Sequence, residues 1–227
     1  MRVVTNDRFI SSRAGMVRNA MTVGLVLMAV AAVAALQPRY IAYAYASLLV
    51  SFPLVNWGGR GAAKWVRSPR PDQVVAKALK SLDHSCQLFS YVLPAENVLL
   101  CPTGLVVLCV KTLEGAISCR GAKWRRRLRL PQLLAVLYDE RLGNPSRQAR
   151  KEAEKLRTFV AAHLPEVNAT VTPLVVFTSP QVTLEVVEPT VPAMLVRDLK
   201  AHLRGTVGTL AGPDYKALAS LFNEQVH

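Results

Sequence analysis

Six cationic side chains lie within ten residues near the middle of the chain, and no acidic residue lies among them. They are Arg120, Lys123, Arg125, Arg126, Arg127 and Arg129, and Trp124 lies between them. Like charges at this density repel one another, so we expect the run at the surface. Guanidinium and ammonium groups bind phosphate oxygens, and the indole ring adds an apolar or stacking contact. The run therefore predicts a surface that binds DNA, RNA or anionic lipid headgroups.

The four cysteines show neither a metal-binding nor a redox pattern. Cys86, Cys101, Cys109 and Cys119 include no CxxC pair, and no zinc-ligand spacing accompanies them. Two of them lie in apolar runs typical of buried strands, so we expect four reduced thiols in a cytosolic domain. The chain has no Walker loop, nucleophile elbow or HExxH motif, which excludes those enzyme classes, and no small-molecule cofactor is indicated.

Composition divides the chain into an apolar first part and a basic second part. The 227 residues are 51% apolar and carry a net charge of +13, and the apolar excess lies in the first sixty residues. The chain from Arg60 onward contains 23 of the 28 lysines and arginines. A domain this basic favours polyanionic partners. A generally arginine-rich proteome would give the same balance.

Two uncharged apolar segments in the first part of the chain predict membrane helices. The segments are Ala20–Leu36 and Tyr40–Trp57, and only three residues separate them. Each has the length of a spanning helix, and so short a link requires the two to form a hairpin. We therefore predict a two-helix transmembrane hairpin at residues 20–57, followed by a juxtamembrane linker at residues 58–71.

The distribution of basic residues predicts the orientation of this hairpin. Four arginines lie in the N-terminal segment, residues 1–19, and four basic residues lie between Arg60 and Arg70, whereas the link has only Arg39. The positive-inside rule then places both termini and the following domain in the cytoplasm, with the hairpin in the cell (inner) membrane. A cleaved signal peptide is the alternative, because AVAAVAAL offers small residues to a peptidase.

Residues 72–227 alternate between helical and strand signals. Helices are expected at 72–82, 196–204 and 213–225, and one more begins at Pro131. Asn144-Pro145-Ser146 is a helix-start signal, and the helix it opens is expected to continue through 147–164. Strands are expected at 87–93, 97–101, 105–111, 116–119, 174–178 and 182–187. Pro102-Thr103-Gly104 indicates a tight hairpin in which the glycine takes a positive φ. The order predicts one α/β domain with a mixed sheet flanked by helices.

Two segments of this domain resemble the nuclease-related domain (NERD) family. In LPAENVLLCPTGLVVLCVKTLEGAI, residues 93–117, an acid precedes a strand, a tight turn follows, and the next strand ends in Lys111. Trp124 lies where the family often has a tryptophan, and Asn144-Pro145-x-x-Gln148-Ala149 is similar to the family's helical motif. The resemblance covers residues 72–187. It implies a restriction-endonuclease-like mixed sheet, preceded here by the two transmembrane helices.

The resemblance also implies a Mg²⁺-dependent phosphodiesterase site made of two carboxylates and a lysine on adjacent strands. Glu96 falls at the first carboxylate, Lys111 at the lysine and Gln148 in the helical motif. Cys109 occupies the position of the second carboxylate, and a thiol is a poor Mg²⁺ ligand. The catalytic residues Glu96, Lys111 and Gln148 then form a vestigial site in which Glu96 is the candidate metal ligand. A rearranged site would recruit Glu114. Alternatively, Glu96 is a solvated turn residue and Lys111 a strand-end charge that reaches solvent.

Three functions follow from these observations. The first is a membrane-anchored nuclease-related protein that no longer cleaves, needs no cofactor, and binds nucleic acid or another polyanion. The second is an active nuclease with a rearranged site, which would use Mg²⁺. The third is a non-enzymatic module that associates with anionic lipid. The missing second carboxylate favours the first.

Overall fold

The computed structural model describes residues 1–66, 68–83, 85–127, 142–167, 169–205 and 210–226. These residues form two compact units. We call residues 8–70 the helical hairpin and residues 1–7, 71–127 and 142–226 the sheet domain. The helix expected from Pro131 and the cation Arg129 lie outside the described residues.

The helical hairpin consists of two long helices, α1 (Asp7–Ala34) and α2 (Ile41–Trp65), joined through a 3₁₀ turn at Pro38–Tyr40. Helix α1 begins within the basic N-terminal segment, and α2 continues into the expected linker. The 28 residues of α1 span about 42 Å, more than the roughly 30 Å of a bilayer's hydrocarbon core. Both helices are long and apolar enough to cross a membrane.

The two helices of the hairpin approach closely at glycines. A Cβ atom added at Gly61 would lie 2.5 Å from Val17 Cγ2, and one added at Gly24 would lie 2.8 Å from a valine methyl of the other helix. The hydroxyl of Ser47 on α2 donates a hydrogen bond of 2.9 Å to the carbonyl of Leu27 on α1. Close approach through small residues and hydrogen bonds between helices are typical of helix association in membranes.

The outer surface of the hairpin is apolar. Large aliphatic and aromatic side chains are exposed along both helices, including Val30, Val33, Tyr43, Leu49 and Phe52. Apolar patches of this extent are uncommon on soluble monomers and suit a lipid environment. The exposed surface therefore agrees with helices that could span a membrane.

The sheet domain has the mixed α/β architecture that the sequence predicts. Its described strands are β1 (Arg2–Thr5), β2 (Gln87–Ser90), β3 (Asn97–Cys101), β4 (Gly104–Lys111), β5 (Gly115–Arg120), β6 (Lys123–Arg127), β7 (Val171–Phe177), β8 (Val182–Val187) and β9 (Ala193–Leu195). Its described helices are α3 (Pro71–Leu79), α4 (Pro145–His163), α5 (Val196–Gly205) and α6 (Gly212–Glu224).

The strands form a large mixed sheet and a small one. The large sheet has the order β1-β2-β3-β4-β7-β9, in which β3 is antiparallel to β2 and β4 and the other neighbours are parallel. The small sheet has the order β6-β5-β8, with β6 antiparallel and β8 parallel to β5. Strand β4 therefore lies in the interior of the large sheet.

Helices cover both faces of the large sheet, because β4 is apolar on both sides. Val107 packs in a cluster with Leu156 of α4 and Phe222 of α6. Its neighbour Leu108 points to the other face and packs with Val75 of α3 and, in the same cluster, a leucine of α5. Successive strand residues point to opposite faces, so α4 and α6 cover one face and α3 and α5 the other.

The first residues of the chain form an edge strand of the large sheet, which the sequence does not indicate. Strand β1 pairs in parallel with β2, and the Arg2 amide donates to the carbonyl of Cys86 at 3.0 Å. Val4 is 8% exposed and packs in the cluster that contains Phe89, whereas Val3 is 45% exposed. Residues expected only as a basic flank of the hairpin are thus part of the sheet domain.

A disulfide between Cys86 and Cys101 corrects the expectation of four reduced thiols. The two residues follow the Gln87–Leu100 pair as the next cross-strand pair of β2 and β3, with their Cα atoms 4.4 Å apart. The pairing depends on the register of two strands, so cysteine spacing alone does not reveal it. Cys109 and Cys119 lie outside the disulfide and are buried.

Candidate functional site

A tight hairpin of β3 and β4 positions Glu96 and Cys109. Gly104, with φ +132°, makes the turn as the sequence predicts. The paired residues of the two strands run from Val98 opposite Val107 to the turn. Cys109 lies further along β4, and Glu96 lies in a bend one residue before β3. Glu96 is half-buried, and its carbonyl accepts a hydrogen bond of 2.7 Å from the Tyr91 amide.

Cys109 lies in an apolar cluster on the α4 face of the sheet. It is 5% exposed and packs in one cluster with Val175 and Phe177 of β7 and Ala149 of α4. Buried thiols in such surroundings behave as small hydrophobic side chains. In this chain, the residue at the second carboxylate position of the family's pattern is therefore a core residue.

Lys111 ends β4 on the same strand face as Cys109, two residues further along. It is 2% exposed, so the alternative of a strand-end charge that reaches solvent is wrong. Its carbonyl accepts hydrogen bonds from the amide and the hydroxyl of Thr178, at 2.9 and 3.3 Å, which join the end of β4 to the residue after β7. A buried lysine is uncommon and expensive unless its surroundings are polar.

Gln148 lies in the first turn of α4, half-buried and one residue before Ala149 of the Cys109 cluster. Asn144 caps this helix, because its side-chain oxygen accepts a hydrogen bond from the Arg147 amide at 3.0 Å. The structure thus brings the start of α4 against the strand face of Cys109. This placement suits a residue that holds the helix against β4 and β7.

These side chains do not fit a Mg²⁺ ion. Glu96 supplies one carboxylate, Cys109 a soft sulfur and Lys111 a positive charge, whereas Mg²⁺ requires an octahedron of oxygen ligands. Glu114, which a rearranged site would recruit, is half-buried between β4 and β5. Within the described ranges, no three His, Cys, Asp or Glu side chains lie close enough together to hold a metal.

Residues 123–127 of the basic run form β6, so their side chains alternate between the two faces of the small sheet, and Arg120 ends β5. Lys123, Arg125 and Arg127 are exposed on the outer face. Trp124 and Arg126 point the other way and are half-buried. The cations of β6 therefore do not all lie on one surface.

Trp124 joins the small sheet to α4 and β7, and Arg126 contacts the residue before β5. The indole Nε1 of Trp124 donates a hydrogen bond of 2.9 Å to the Ser146 hydroxyl in α4, and its ring lies 5.8 Å from that of Phe177. Arg126 Nε donates a hydrogen bond of 2.8 Å to the Glu114 carbonyl. Trp124, which lies where the family often has a tryptophan, therefore points into the domain, away from the exposed cations of β6.

The outer face of the small sheet is a groove of about 450 Å³. Its lining comes from all three strands and comprises Ala116, Ile117, Ser118, Arg120, Lys123, Arg125, Arg127, Thr183 and Glu185. The sequence does not reveal the contribution of β8, because β5 and β8 pair although more than sixty residues separate them. The alternation of exposed Thr183 and Glu185 with less exposed Leu184 is the one local signal of that face.

The comparison with protein families covers the β3–β4 hairpin and helix α4. Residues 70–178 match the family model for the nuclease-related domain (NERD), which confirms the resemblance. No curated protein and no solved structure matches the chain significantly. The matched residues run from the start of α3 to the end of β7 and include Glu96, Cys109, Lys111 and Gln148. Residues 70–178 therefore form a nuclease-related domain, and two helices long and apolar enough to cross a membrane precede these residues.

Proposed function

We propose that this chain is a membrane-anchored nuclease-related protein that has lost metal-dependent cleavage and binds nucleic acid or another polyanion. The observation that carries the proposal is the burial of Cys109 in an apolar cluster at the second carboxylate position. A carboxylate there would be desolvated among apolar neighbours, which costs several kcal/mol unless a partner charge offsets it. Lys111, on the same strand face, is the nearest cation of β4.

The loss of cleavage is tested with the full-length protein in lipid nanodiscs, incubated with Mg²⁺ and either plasmid or single-stranded DNA. We expect no cleavage by the wild type, because one carboxylate cannot hold the ion that a phosphodiesterase needs. Cys109→Glu restores the family's pattern and is expected to give at most weak activity. Cys109→Ser is the matched control, since it changes the thiol without adding a carboxylate. Wild-type cleavage that disappears in Lys111→Ala would refute the proposed loss.

The membrane topology of the proposal rests on β1. Residues 1–7 and the chain from Pro71 belong to one folded domain, which supports a topology with both ends of the helical hairpin on the same side of the membrane. An even number of crossings meets that requirement, and α1 and α2 supply two. The basic residues that flank the hairpin support the assignment of this side to the cytoplasm, by the positive-inside rule.

Reporter tags test this topology. Tags before Met1 and after His227 are expected to be inaccessible from outside intact cells, and a tag at Gln37, between the two helices, is expected to be accessible. The Gln37 tag is the internal control, because it shows that the reagent reaches an exported site. Terminal tags on opposite sides of the membrane would contradict both the hairpin and the pairing of β1 with β2.

A further inference from the structure

The outer face of the small sheet arranges its residues in three rows of three. The register places Arg127, Ala116 and Thr183 in one row, Arg125, Ser118 and Glu185 in the next, and Lys123, Arg120 and Val187 in the last. The β6 column is entirely cationic, the middle column has two small residues, and the far column has the single acid. Small residues between longer ones produce the concave groove.

The cations of this face are available for a ligand. Arg120, Lys123, Arg125 and Arg127 are exposed, and none of them forms an ion pair with another residue of the described part of the chain. Alternate residues of a strand are about 7 Å apart, so β6 presents an extended row of positive charge. Such a row complements a linear polyanion.

We infer that this groove binds the sugar–phosphate backbone of double-stranded nucleic acid, without reading its base sequence. The inference deepens the proposed function and rests on it. Proteins that bind single strands place aromatic side chains beside a basic groove so that bases stack on them. None of the nine groove residues is aromatic, and Trp124 points into the domain. A duplex shields its bases and presents phosphates, which is what this face can contact.

The position of Glu185 favours a nucleic-acid backbone over a membrane surface. Glu185 lies two strands away from Arg125 in the same row, about 10 Å across the sheet. A plane of anionic headgroups would cover Glu185 together with the cations, and the carboxylate would repel it. A backbone that follows β6 contacts the cationic column and leaves Glu185 at the opposite rim.

The test measures binding of a short duplex to the full-length protein in zwitterionic phosphatidylcholine nanodiscs at several salt concentrations. Four phosphate contacts, from the three exposed cations of β6 and from Arg120 beside Lys123, give a slope of log affinity against log salt of about −3.6. The affinity then falls about 150-fold between 50 and 200 mM salt. Arg125→Gln/Arg127→Gln removes two contacts. Its slope is expected near −1.8, with a fall of about 12-fold. Arg197→Gln/Arg204→Gln, the same charge change on exposed residues of α5, is expected to keep the wild-type slope.

A second variant gives an effect of opposite sign. Glu185→Gln removes the acid from the groove and is expected to tighten duplex binding several-fold at low salt, whereas Glu224→Gln on α6 has the same charge change and no such effect. Duplex binding that is equal in wild type and Arg125→Gln/Arg127→Gln would overturn the groove as the site. Tighter binding of single strands than of duplex, or binding only to vesicles with anionic lipid, would overturn the ligand class. If the wild type binds no polyanion at all, the polyanion binding in the proposed function is wrong as well.

Discussion

Replacing Val4 with Asp is expected to lower the free energy of unfolding of the sheet domain by about 3 kcal/mol or more, because a buried valine contributes roughly 1.5–3 kcal/mol and an unpaired polar group in its place adds a penalty. Val4 of β1 packs in one cluster with Phe89 of β2. The matched control is Val3→Asp in the same strand, whose side chain is 45% exposed. We expect this control to change stability by less than about 0.5 kcal/mol.

Denaturant unfolding of the full-length protein in detergent measures both changes. In a background with Trp57→Phe and Trp65→Phe, Trp124 is the one remaining tryptophan, and its contacts with Ser146 and Phe177 make its fluorescence report on the sheet domain. Equal destabilisation by Val3→Asp and Val4→Asp would show that β1 does not dock with its Val4 face inward.

Reducing the Cys86–Cys101 disulfide is expected to lower stability by about 3 kcal/mol, because a cross-link that closes a loop of this length restricts the unfolded chain by that amount. The two cysteines are 15 residues apart. Adding dithiothreitol should therefore lower the denaturation midpoint of the wild type and leave that of Cys86→Ala/Cys101→Ala unchanged. A wild-type midpoint that does not respond to complete reduction would contradict the bond's role.

The same protein permits a count of thiols. Under denaturing, non-reducing conditions, two of the four cysteines should react with a thiol reagent, and all four after reduction. In the folded protein, burial raises the pKa of the Cys119 thiol. Because the thiolate is the reactive form, its alkylation near neutral pH should be slow. The cytoplasm keeps most thiols reduced, so in the proposed location the stability of the sheet domain would depend on whether this disulfide forms.

Local signals predicted the elements that form the candidate site. Pro102-Thr103-Gly104 predicted the β3–β4 hairpin and the positive φ of Gly104, and Asn144-Pro145 predicted the start of α4, where the asparagine caps the helix. Both signals act within a few residues of the turn or cap that they specify. The assignment of Cys109 to the second carboxylate position is what the family resemblance implies, and it needs only the order of residues along β4.

The elements that the sequence did not reveal depend on distant partners. Strand β1 has four residues and no turn signal, and its partner β2 begins at Gln87. The groove likewise requires β8 to pair with β5. The basic run predicts a surface, but it does not predict that two of its residues, Trp124 and Arg126, point inward. That division exists because residues 123–127 form a strand, in which alternate side chains lie on opposite faces. Strand formation depends on neighbours in the sheet more than on intrinsic preference.

The pairing of β1 with β2 joins two strands that are synthesised at different times. Arg2 is opposite Gln87, so the ribosome releases the first strand about 4 to 17 s before its partner, at usual rates of synthesis. In the proposed topology both membrane helices are inserted during that interval. If the amino terminus were exported by mistake, the completed domain would lack its edge strand and expose the apolar surface that Val4 covers. Misinserted molecules would therefore be recognisable to chaperones and proteases in the cytoplasm.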